Sequence, residues 1–197
     1  MADQRIQYTE EMVGANHPSK SDTLNRLALV EHNTDGTHKA ASKVAGDVVQ
    51  VVSMQEVAMA TGTTAIPVDD TIPQNTEGDE FMTLAITPTN ANNKLIIDVS
   101  AICSHSVTND RIIMALFQDS AADAIAVSGQ HSQGEQPITM TLKYPPTVAG
   151  TTSETTFKVR IGGEAGAGGT LTFNGHAGAR KMGGKYISSI TITEVKV

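Results

Sequence analysis

Tryptophan is absent from this 197-residue chain, cysteine occurs once, and four Phe and three Tyr complete its aromatic set. Sugar-binding surfaces commonly stack their ligands on aromatic rings, so a carbohydrate platform has little to draw on. The lone thiol, Cys103, cannot close an internal disulfide, and the expectation is a fold made in a reducing cytosol. Charged residues are only 18% and the formal net charge is −7. Phosphate binding needs clustered Lys and Arg, so general affinity for nucleic acid is excluded. Long apolar runs are missing too. Ile112-Ile-Met-Ala-Leu-Phe117 is far too short to cross a bilayer, and Met1-Ala-Asp-Gln-Arg-Ile lacks a basic region followed by an apolar stretch. Neither a signal peptide nor membrane insertion is expected.

Thr, Ser, Gly and Ala are plentiful, while hydrophobic residues reach 39%. The core is therefore expected to be thin, built from small and β-branched side chains, and helped by neighbouring subunits. The length fits one domain plus an appendage, and the pattern changes near Gly46. In residues 1–46, Ser21-Asp22-Thr23 supplies capping oxygens. Leu24, Leu27, Ala28 and Val30 follow at roughly helical spacing until Asn33-Thr-Asp-Gly36 stops the run. One short helix over about 22–33 is expected, with a Leu stripe (Leu24, Leu27, Val30) that must dock on something else, because so short a helix is marginal alone. The rest of this segment reads as an extended arm ordered by a partner.

Residues 47–197 carry repeated strand signatures. Leu95, Ile97, Val99, Ala101 and Cys103 share one face of a strand, with Asp98 and Ser100 on the other. Met82/Leu84/Ile86, Ile138/Met140/Leu142 and Phe157/Val159/Ile161 alternate in the same way. Arg111 to Phe117 is apolar on both faces, which requires a second layer or a neighbouring subunit beyond the core. Shorter candidates are Val48–Val52, Ala124–Val127, Leu171–Phe173 and Tyr186–Val197, the last with a bulge between its Ile190/Ile192 and Val195/Val197 phases. Turns are expected at Thr89–Asn93, Ser128-Gly129, Lys143-Tyr-Pro-Pro146, Gly162–Gly169 and Gly183-Gly184. No long helix interrupts the series, leaving a mainly β fold, an antiparallel β-sandwich of jelly-roll type.

The chemistry-bearing motifs are sparse. Gly162-Gly-Glu-Ala-Gly-Ala-Gly-Gly169 lacks the Gly-Lys-Ser/Thr ending of a phosphate loop and leads into a strand. Gly-x-Ser-x-Gly, His-Glu-x-x-His and paired Cys-x-x-Cys are missing, so neither catalytic residues, nor a cofactor, nor a metal is assigned. His32 and His38 flank a short loop with one carboxylate, an arrangement able to hold a metal ion where copies meet, while a capped helix end accounts for them without one, so neither is assigned a role. His105 and His131 are expected in solvated loop positions, and Cys103 as a small buried hydrophobe. Asp69-Asp70 and Glu77-Gly-Asp-Glu80 read as solvating loop acids. Arg180, Lys181 and Lys185 form the basic cluster, at an expected hairpin tip suited to anionic sugar or lipopolysaccharide phosphate.

From Gly14-Ala-Asn-His-Pro-Ser-Lys-Ser-Asp-Thr-Leu-Asn-Arg-Leu-Ala-Leu-Val-Glu-His-Asn-Thr-Asp-Gly-Thr-His38, the chain resembles the N-terminal region of tailed-bacteriophage fibre and spike-like virion proteins. Asp70-Thr-Ile-Pro-Gln-Asn-Thr-Glu-Gly-Asp-Glu80, Leu84-Ala-Ile-Thr-Pro-Thr89, Ala115-Leu-Phe-Gln-Asp119 and Ser188-Ser-Ile-Thr-Ile-Thr-Glu194 are similar to such proteins as well. The resemblance implies a virion component, usually a homotrimer, anchored to other virion proteins by its N-terminal arm and projecting a β domain. Its partners would then be copies of itself, the virion, and a host-surface glycan or protein. A short tail fibre or spike is the leading expectation, a capsid decoration or head-fibre protein the alternative, and an envelope-degrading enzyme a third that lacks paired acids at strand spacing.

Overall fold

Period-two patterning dominates the computed structural model, which describes residues 43–132, 135–164 and 168–197. The expected helix over 22–33, with Leu24, Leu27, Val30, His32 and His38, lies outside the described residues. Those described belong to one unit, Lys43–Val197. Its strands are β1 (Val48–Glu56), β2 (Ala60–Gly62), β3 (Asp79–Ile86), β4 (Lys94–His105), β5 (Arg111–Gln118) and β6 (Ala126–His131). They are followed by β7 (Ile138–Val148), β8 (Thr155–Gly163), β9 (Leu171–Phe173), β10 (Gly175–His176), β11 (Ala179–Arg180) and β12 (Ser188–Val195). The fold is mainly β, and every pairing between these strands is antiparallel.

Two sheets share one core. In the first, β12 lies between β1 and β4, and β7 pairs with the opposite edge of β4; the second runs β3-β8-β5-β6. The inward row of β4, Leu95 to Cys103, meets Ile190 and Ile192 of β12 and Met140 and Leu142 of β7. Facing them are Met82, Ile86, Ile112, Met114, Leu116, Phe157, Val159 and Ile161 from the second sheet. Burying each such side chain contributes about 1.5–3 kcal/mol, so this two-sided row is the main source of stability.

The apolar outer face of β5 has its explanation within the chain. Ile113, Ala115 and Phe117 pack with Ile66 and Ala124, so the second layer is the protein's own connecting loops. The Ile66 N–H donates to Gly163 O at 2.8 Å and holds that layer down.

Several expected turns are strand interior. Pro145 and Pro146 lie inside β7, because that strand pairs with β4 alone and its register breaks between Leu95↔Thr147 and Ile97↔Tyr144. A missing N–H costs little at an edge or bulge. Ser128-Gly129 lies within β6, which begins at Ala126 where Ala124 was expected, and Gly162-Gly163 ends β8. The expected bulge of the last strand sits on its partner instead: the shift falls between Val48 and Gln50 of β1. In β12, Ile190, Ile192 and Glu194 stay in phase and all point inward.

Glu194 therefore occupies an apolar position as a carboxylate. Its Oε1 accepts from Asn93 Nδ2 (2.6 Å), Thr89 Oγ1 (2.8 Å) and Thr89 N (2.9 Å), and its Oε2 from Gln50 Nε2 (2.7 Å). Burial pushes its acidity toward the neutral form, but the hydrogen bonds from Asn93, Gln50 and Thr89 outweigh this and hold the carboxyl below its ordinary value.

A second polar node sits where the first sheet changes rows. β12 and β9 follow one another along the same edge of β4, since each pairs with residues there that β7 pairs from the other side. At the junction the Asn174 N–H donates to Ile102 O (2.9 Å), while the Ile102 N–H donates to Ser188 Oγ (3.0 Å). Ser188 Oγ in turn donates to Asn174 Oδ1 (2.7 Å), and Asn174 Nδ2 donates to Glu56 O (2.8 Å).

Candidate functional site

Between Phe173 and Ser188 the chain leaves the sheet and returns. β10 and β11 form a hairpin closed by Ala177 and Gly178, with φ of 51° and 66°. Two successive positive φ values define the mirror-image turn that matches strand twist, a conformation glycine adopts freely and alanine at a cost of about 1–2 kcal/mol. The Gly178 N–H donates to Thr172 Oγ1 at 3.0 Å, tying the tip to β9. A short 3₁₀ turn, Met182–Gly184, then precedes β12.

The basic residues fall on this excursion, after the hairpin's tip and not at it. Arg180 ends β11, and Lys181 and Lys185 flank the 3₁₀ turn; all three are exposed. Among the described residues none of the three joins an ion pair. Arg180 reaches back over the turn, since a Cβ on Gly184 would lie 2.9 Å from its Nη1. Beside these cations Met182 is 70% exposed and Ile187 43%, so the excursion offers apolar and cationic groups together. On β10, His176 Nε2 lies 3.8 Å from Glu135 Oε2.

His105 is buried, contrary to its expected solvated position. It ends β4, and the turn with Asn109 in the left-handed region (φ 60°) brings Asp110 back beneath it. Nδ1 lies 3.0 Å from Asp110 Oδ2, with both side chains nearly inaccessible. The Val107 N–H donates to the same Nδ1 at 3.3 Å, and Asp110 Oδ2 has no hydrogen-bond partner among the described residues. Asp110 Oδ1 accepts from the Arg111 N–H at 2.9 Å. The pair fits only because residue 163 is glycine: a Cβ there would lie 2.6 Å from both His105 Nε2 and Asp110 Oδ2. His131, in contrast, is exposed at the end of β6.

Cys103 is fully buried on the inward row of β4, and burial pushes its thiol far above the ordinary range, the opposite of a nucleophile. Of the expected loop acids, Asp79 and Glu80 open β3 instead of lying in a loop, and Asp69, Glu77, Asp79 and Glu80 have structural partners. Asp69 Oδ1 accepts from Thr71 N and Oγ1, and these bonds hold its carboxyl below the usual value. Glu77 Oε2 accepts from the Gln74 N–H, Asp79 accepts from Thr64 N and Oγ1, and Glu80 pairs with Arg160 at 3.6 Å.

The sheets and these surfaces define a β-domain whose accessible chemistry lies in loops and strand faces. Residues 63–197 match the sequence profile described as the Pgp3 C-terminal domain. The chain belongs to that family. A comparison with curated proteins gives no match. Among solved structures, the chain is similar to "EclA C-terminal domain; sugar-binding protein", at 13% identity and a TM-score of 0.32 over 72% of this chain and 83% of that one. A chain of infectious bursal disease virus (Gt strain) is 10% identical with a TM-score of 0.39, over 80% of this chain and 40% of that one. The enzymatically active domain of bacteriophage CBA120 tailspike protein 4 is 14% identical with a TM-score of 0.28, over 64% of this chain and 19% of that one. This chain thus spans less than half of the viral and phage chains.

Proposed function

We propose that this protein is a bacteriophage virion component, a short tail fibre or spike that assembles as a homotrimer, attaches through residues 1–46, and presents its β unit to the host surface. The role is binding and assembly, not catalysis. The observation that carries this reading is strand order: β1-β12-β4-β7 facing β3-β8-β5-β6 is the order of a jelly roll, an architecture recurrent in viral capsid and lectin domains. The excursion bearing Arg180, Lys181 and Lys185 is the proposed host contact, because exposed cations with no ion pair among the described residues, beside Met182 and Ile187, suit a phosphorylated, partly apolar envelope surface.

Immunogold labelling of the particle with antibody to this protein tests the placement. Label at the tail supports the proposal, label on the capsid replaces it with decoration, and unlabelled particles overturn the virion role. Native mass measurement of the full chain checks assembly, and a stable monomer at micromolar concentration is the contrary result.

A further inference from the structure

The outer face of the second sheet holds a cleft of about 540 Å³ that the virion role does not use. Its volume lies within the range of small-molecule sites, roughly 300–1,000 Å³. Its floor is the odd-numbered face of β5 and β6, where Ile113 sits opposite Gly129 and Val127 follows along the strand. Pro67, Val68 and Pro73, on the loops that cover the outer face of β5, build the wall. The glycine leaves the floor low. A Cβ at Gly129 would have one neighbour within 4 Å, Ile112 O at 3.9 Å, so a side chain there would rise into the cleft without displacing the sheet.

One end of the cleft is polar. Arg111 and His131 are paired across the β5–β6 ladder, and both line it. The Arg111 guanidinium makes no hydrogen bond among the described residues; its nearest acid, Glu164, stands with Oε2 3.8 Å from Nε, and the Arg111 side chain is 45% exposed. Asp69, the acid on the wall, is engaged with Thr71 of its own loop. A half-exposed planar fork of N–H donors, with one long ion pair to Glu164 through Nε among the described residues, at the head of a Pro, Val and Ile trough matches a carboxylate carried on an apolar body. We propose that this cleft binds an aliphatic carboxylate, its head on Arg111 with His131 alongside and its chain over Gly129 against Val68 and Val127.

The test titrates the full chain with decanoate and with decan-1-ol, each below its aggregation limit, following chemical shifts or heat. Decanoate is expected to bind about tenfold more tightly than the alcohol, the factor that one charge-assisted hydrogen bond supplies. Arg111→Gln should remove that difference. Gly129→Leu should abolish binding of both ligands while leaving thermal unfolding unchanged, which separates occlusion from misfolding. Equal affinity for acid and alcohol, no binding of either, or undiminished binding by a folded Gly129→Leu variant overturns the proposal. None of these outcomes depends on where the protein sits in a particle.

Discussion

Asn93 Nδ2 donates to Glu194 Oε1 across 2.6 Å, fastening the loop before β4 to the final strand through a buried carboxylate that has no cation partner among the described residues. Four neutral donors from three residues, Asn93, Thr89 and Gln50, do the work that a counter-ion does elsewhere. The energetic sign follows from that arrangement.

Because hydrogen bonding lowers the folded-state pKa of Glu194 below its ordinary 4.5, the ionised carboxylate contributes stability that is complete above the unfolded value. That contribution is lost as pH falls through the lower folded value. Chemical denaturation across this acid window should give a steeper loss of stability for the native protein than for Glu194→Gln. Glu194→Ala, which leaves the buried Asn93 and Thr89 donors unpaired, should cost about 3 kcal/mol at neutral pH. A Gln variant with the same acid slope would refute the assignment.

Gly163→Ala should be destabilising out of proportion to one methyl group, because the new carbon would press on both His105 and Asp110. Overpacking of this kind costs about 1–3 kcal/mol, which for a chain of this size lowers Tm by roughly 2–4 °C per kcal/mol. Gly129→Ala, with open space at its Cβ, serves as the comparison and should unfold with the native protein.

Phe117→Ala should cost about 3–5 kcal/mol, since this ring is 1% exposed and packed beneath Ile66. The loss should be independent of protein concentration, measured by denaturant unfolding at two concentrations a hundredfold apart. A concentration-dependent loss would mean that another subunit covers this face.

Cys103 should resist alkylation and disulfide exchange in the folded protein and react at once in denaturant, because burial keeps its thiol protonated. Thiol titration with and without guanidinium reads this directly. Modification at the rate of a free thiol would place the side chain at the surface.

Much of the antiparallel β fold was legible from alternation alone. The faces of β3, β4 and β8 follow the period-two rows of Met82, Leu95 and Phe157, and the double apolar face of β5 announced that something covers it. What covers it was not legible, because Ile66 lies in the short loop run Ala65-Ile66-Pro67-Val68, which has no strand or helix periodicity to place it. The phase of β12 misled for a related reason: an inward glutamate breaks the hydrophobic pattern, and only the donors of Asn93, Thr89 and Gln50, distant in sequence, make that position tolerable. His105 is a similar case, its burial depending on a glycine far along the chain. The basic residues were found from composition, whereas their place beyond the hairpin's tip depends on the left-handed pair Ala177 and Gly178. The cleft left no signal in the sequence, since Arg111, Gly129 and Pro67 meet only through sheet register and loop packing.

The node joining Ser188, Asn174 and Ile102 also bears on how this protein can diversify. Everything from Gly175 to Ile187 departs and re-enters at that one clasp, so segments of other lengths can be grafted there like cassettes while the strands behind keep their alignment. Variation in what the molecule touches is thereby uncoupled from variation in how it folds.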